Sequence, residues 1–61
     1  MGGFSEDRTL AELLTVEPKL ADKRAYSMMY HRMYAATGSK QLARQDGAAF
    51  VAKLRSQRVV N

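Results

Sequence analysis

Between Pro18 and Thr37 the apolar residues recur with a helical period. At about 100° per residue, Ala21, Ala25, Met28, Met29, Met33 and Ala36 project onto one broad face. Tyr26, Tyr30 and Tyr34 recur every four residues and form a stripe along the edge of that face. Lys23, Arg24, Ser27 and His31 take the opposite side. Pro18 suits the first helical position, where its missing amide is not needed, and Gly38 suits the left-handed residue that closes a helix. The pattern predicts one helix over 18–37, roughly 30 Å long, and the rest of the chain must pack on it. Arg32 breaks the apolar face near its middle. An unpaired guanidinium buried there would be very costly. Arg32 therefore pairs with a carboxylate (Glu12 or Asp46), reaches out over small residues, or meets a partner.

Shorter patterns flank this helix. Thr9-Leu10-Ala11-Glu12 reads as a capping box, and Leu10, Leu13 and Leu14 form a stripe behind it. Together they predict a short helix over about 10–15, unstable by itself and so docked on the long one. Phe4 is expected to fold back onto the domain. Glu17 is the expected boundary of the long helix, because a residue before proline is pushed out of the helical region; Thr15 is the alternative cap. Beyond Gly38, Ser39 is placed to cap a third helix. Over 40–58, Ala43, Gly47, Phe50, Val51 and Leu54 share a face, with Lys40, Arg44, Arg55 and Arg58 to one side. Gly47 leaves two readings. The helix continues through it, at about 1 kcal/mol relative to alanine, and the glycine permits a close approach. Or Asp46-Gly47 is a turn that divides the region into 40–45 and 48–58. Continuity is favoured, since alanines and leucines flank the glycine with no second breaker. The apolar tail Val59-Val60-Asn61 is expected to dock back or to meet a partner. The expected fold is all-α, a single domain over 1–61 with helices at about 10–15, 18–37 and 40–58, or four helices if the last region breaks at Gly47. Its short connections make neighbours antiparallel or steeply crossed.

Composition limits what such a domain can do. The 61 residues are 46% hydrophobic, but nine are alanine and none is isoleucine or tryptophan, so the core is thin and depends on Met, Leu, Tyr and Phe. A ligand that binds only the folded chain would add stability to it. The absence of cysteine excludes disulfide and thiolate chemistry. No apolar run is long enough to span a membrane, and MGGFSEDR has no signal-peptide character. The expected location is the cytoplasm or a soluble assembly. Ser27 and His31 stand one helical turn apart, but no carboxylate orients the imidazole and no second metal ligand accompanies it. The expectation is a protein that is not an enzyme, with no small-molecule substrate, cofactor or metal.

The net charge of +4 suits an acidic protein surface or a nucleic acid. Ser39 to Ser56 resembles the helix-turn-helix pattern of DNA-binding proteins. Leu42 and Ala43 match the packing residues of its first helix, Gly47 the turn glycine and Phe50 a packing residue of the second helix. Asp46 departs from it where an apolar residue is usual, and Lys53 where a buried aliphatic is usual. The resemblance implies a small DNA-binding regulator. Lys53 and Arg55 would lie on or near the recognition helix, Gln41, Arg44 and Arg58 would meet phosphates, and Lys40 is a further nucleic-acid-binding candidate. The favoured reading is protein binding, to another protein or to a second copy. Tyrosine, methionine and arginine are enriched at interface centres, and Tyr26, Tyr30, Arg32, Met33 and Tyr34 are the candidate contacts. On this reading the protein regulates or completes a larger assembly.

Overall fold

A computed structural model describes residues 3–58 as three helices: α1 (Glu6–Leu13), α2 (Pro18–Thr37) and α3 (Lys40–Arg58). The expectation for Val59-Val60-Asn61 lies outside the described residues. The all-α architecture with a long central helix is as the periodicity predicts.

The first helix begins a turn earlier than the capping box implies. Its cap is Ser5, whose Oγ accepts from the amide of Arg8 at 3.3 Å. Thr9 already lies inside the helix and donates its hydroxyl to the Ser5 carbonyl at 2.8 Å. Ser5 is as good a cap as Thr9, and Glu6 and Asp7 then fall in the first turn, where the helix dipole favours negative charge. The helix stops at Leu13. The Thr15 and Val16 amides turn back onto the carbonyls of Glu12 and Leu13, and the Thr15 hydroxyl bonds the Glu12 carbonyl. Leu10 and Leu13 are buried, while Leu14, expected in the same stripe, is exposed.

Glu17 caps α2. Its carboxylate accepts from the Leu20 amide at 3.0 Å, so a long side chain does what serine or aspartate does elsewhere. At the other end Gly38 takes φ 72°, and its amide bonds the Tyr34 carbonyl at 2.7 Å. Ser39 then caps α3 by accepting from the Leu42 amide. Two residues thus reverse the chain. The antiparallel course is visible in the pairings, since Asp22 near the start of α2 meets Arg55 and Arg58 near the end of α3, and Tyr26 lies on Gly47.

α3 runs unbroken through Gly47, so the turn and the fourth helix do not form. A Cβ at that position would stand 3.0 Å from the Tyr26 ring and 3.2 Å from the Tyr26 carbonyl oxygen. The glycine therefore serves a close crossing of α2 and α3. The core consists of Leu10 and Leu13 from α1, Ala21, Ala25 and Met29 from α2, and Phe50 and Leu54 from α3. Phe4, Val16 and Val51 pack at its edge. Alanine on α2 and glycine on α3 bring the two long helices together, and the leucines of α1 seal one side.

Ion pairs tie the layers together. Lys53 meets Glu6 of α1 at 3.0 Å, with both side chains close to half exposed. Asp22 accepts from Arg55 Nε at 3.1 Å and from Arg58 Nη1 at 3.4 Å. The Asp22 and Arg58 side chains are only 21% and 26% exposed, and Arg58 Nη2 is buried with no hydrogen-bond partner among the described residues. Loss of Asp22 would leave that guanidinium half-buried without a counter-charge. Asp22→Ala is expected to cost about 1–2 kcal/mol, or roughly 4–16 °C in Tm for a domain of this size. In thermal melts the cost should shrink when Arg58→Ala is already present. Glu6→Ala, at an exposed pair, should cost less than about 0.5 kcal/mol.

Candidate docking surfaces

Tyr26, Tyr30 and Tyr34 form a continuous strip on α2. Adjacent ring centroids lie 6.0 and 6.2 Å apart, with planes 27° and 25° from parallel. The i, i+4 spacing produces this, because each ring falls one turn above the last. Tyr26 and Tyr34 are exposed and Tyr30 is intermediate. His31 adds an edge-on ring 5.8 Å from Tyr30. Ser27 and His31 line a shallow dent with Tyr26 and Tyr30, and no hydrogen bond joins the two.

The antiparallel register sets what lies beside the strip. With Tyr26 on Gly47, the antiparallel count sets Tyr30 level with Ala43 and Tyr34 with Ser39, each one residue from Arg44 and Lys40. Lys40, Gln41 and Arg44 are exposed, and none of them forms an ion pair with a described residue. The register thus sets part of one candidate set near the level of the other. The remaining basic candidates are engaged elsewhere: Arg55 and Arg58 hold Asp22, and Lys53 is on the far side of α3, paired with Glu6. Nine residues separate Lys53 from Arg44, which sets the two half a turn apart.

Arg32 and Met33 do not join the tyrosines. Both line an open groove on the opposite side of the hairpin, with Met29, Ala35, Ala36 and Asp46. A neighbouring hollow continues it past Met33 to Leu42 and Ala49. α1 has eight residues against 20 in α2, so it covers only the end of this side near Ala21 and Ala25. Arg32 projects along the same line of α2 as those alanines but beyond the reach of α1. That explains its place on an apolar stripe. The guanidinium forms no ion pair with Glu12 or Asp46; it lies over the Phe4 ring, 4.2 Å from the centroid. Sequence reasoning offered carboxylates for this residue and missed the aromatic, although Phe4 was expected to fold back.

A helix-turn-helix is absent from 39–56, because its turn would fall at Gly47, inside the continuous α3. The DNA-binding placement of Lys53 and Arg55 on a separate recognition helix goes with it. Among the described residues no group of three His, Asp or Glu side chains could hold a metal ion, and no helix is long and apolar enough to cross a membrane. No known protein family, curated protein or solved structure matches the chain. The class that fold and site define is a small, compact three-helix domain with a tyrosine cluster on its surface.

Proposed function

We propose that the protein is a small non-catalytic protein-binding module, which regulates or completes a larger assembly by docking through the tyrosine face of α2. One observation carries this reading. The core closes on leucine, alanine, methionine and phenylalanine, and three tyrosines that could have enlarged it form a contiguous, partly exposed strip instead. Aromatic rings with a polar tip give large contact area at low entropic cost, which suits an interface. A second reading, nucleic-acid binding, draws on Lys40, Gln41 and Arg44 beside the same strip. Phosphate contacts would make its affinity fall steeply with salt.

Photo-cross-linking from position 30 tests the reading. With p-benzoylphenylalanine in place of Tyr30, the expected product in cells is one protein adduct of defined mass. It should be absent with the probe in place of Arg24, which is exposed elsewhere on α2, and should be lost when Tyr26→Ala and Tyr34→Ala are added. No adduct from position 30, or equal adducts from 30 and 24, would overturn it.

A further inference from the structure

The charges of the domain are sorted between its two sides, and the sorting says what kind of partner the tyrosine face takes. Of the six carboxylates, Glu6, Asp7 and Glu12 belong to α1, Asp46 lines the groove with Arg32, and Glu17 caps α2. Asp22 alone lies on the tyrosine side, where two guanidiniums overcompensate it. The other cations of this side form no ion pair with a described residue. Lys40 and Arg44 stand one residue from the level of Tyr34 and Tyr30, and Lys23 falls on the same line of α2 as Tyr30, seven residues earlier. The tyrosines contribute in the same sense. Their rings lie near-parallel along the helix, 6.0 and 6.2 Å apart, and each carries a hydroxyl at the tip of a partly exposed side chain. Phenol hydroxyls donate hydrogen bonds, so these side chains suit an acceptor. The face presents donors and positive charge almost without a free acceptor of opposite sign.

From this arrangement we infer that the tyrosine face receives a carboxylate-rich segment of its protein partner, an inference that rests on the docking reading above. Carboxylates accept from the tyrosine hydroxyls and pair with Arg44 and Lys40, while the aliphatic stems of such a segment lie against the rings. A single-stranded nucleic acid fits less well. Its bases need open aromatic faces on which to stack, and Tyr30, the middle ring of the strip, is only partly exposed.

The test uses the full chain and poly-L-glutamate as the probe, with affinities from titration calorimetry at two salt concentrations. The chain has three tyrosines and no tryptophan, so tyrosine fluorescence reports contact at this face. The expected result is saturable binding with a change in tyrosine fluorescence. Arg44→Glu should weaken it by about tenfold or more, and Arg24→Glu, with the same change in net charge, by less than about threefold. Both positions are exposed, and circular dichroism checks that both variants fold. Absence of binding, or equal weakening by the two variants, would overturn the inference. So would tighter binding of a thymidine oligonucleotide of equal charge, which would assign the face to nucleic acid. Should Tyr30 cross-link a protein through an uncharged segment, the docking reading stands and this inference falls. Should polyglutamate bind as expected while position 30 captures nothing, the acidic-ligand chemistry stands and the assembly reading falls.

Discussion

Replacing Leu54 by alanine should lower stability by about 3 kcal/mol, within the usual 2–5 kcal/mol for a buried leucine. Leu54 is fully buried where all three helices meet, among Leu10 and Leu13 of α1, the α2 alanines and Phe50. Its neighbours cannot close the gap cheaply, because the α2 alanines have no side chain long enough to move inward and α1 offers only two buried leucines here. A chain of 61 residues has a total stability of only about 3–9 kcal/mol. The variant is therefore expected to melt more than about 12 °C lower in far-ultraviolet circular dichroism, with part of the population unfolded at room temperature. Leu42 serves as the matched control. It is 46% exposed on the same helix, and Leu42→Ala should cost less than about 0.5 kcal/mol. Equal effects at the two positions would mean that α1 does not seal the core over Leu54.

The architecture was legible because periodicity and punctuation agree. Pro18 and Gly38 bracket α2, Ser39 starts α3, and the stripe Ala43, Gly47, Phe50, Leu54 faces inward as its spacing implies. The start of α1 was not legible. Ser5 and Thr9 are comparable caps, and the choice depends on which start carries both Leu10 and Leu13 into a core that a single helix does not know about. The candidate contact residues fell into two groups for a similar reason. Helical projection puts Met33 near Tyr26 and Arg32 near the middle of the core face, but it cannot tell where a covering helix ends. α1 is short, so the far half of the core face opens as a groove that keeps Arg32 and Met33, while the tyrosines turn to the side shared with Arg44 and Lys40. The link between Asp22 and the pair Arg55 and Arg58 was equally hidden, since 33 and 36 residues separate the partners and only the antiparallel return of α3 joins them.

Gly47 connects the packing of the domain to its docking face, and two substitutions there should behave very differently. In Gly47→Ala the new Cβ meets the Tyr26 ring at 3.0 Å and the Tyr26 carbonyl oxygen at 3.2 Å. The ring belongs to a partly exposed side chain and can turn, whereas the carbonyl is fixed in α2, so the helices must separate by a few tenths of an ångström. Against that strain stands about 1 kcal/mol of helix propensity gained on leaving glycine. The two nearly cancel, and the variant should melt with a net change of less than about 1 kcal/mol. Gly47→Leu gains the same propensity but drives a branched side chain into the crossing, and overpacking of about 1–3 kcal/mol should outweigh the gain. It also pushes the Tyr26 ring away from Tyr30, its neighbour at 6.0 Å, which should appear as a change in the near-ultraviolet circular dichroism of tyrosine. If Gly47 were instead a turn glycine in the left-handed region, alanine itself would be the damaging substitution. Among the described residues only Gly38 has a positive φ, so the expected order is alanine tolerated and leucine not. A leucine variant as stable as the native chain, with an unaltered tyrosine signal, would show that α2 and α3 do not cross closely here. The strip of tyrosines would then lose the packing that holds its first ring in place.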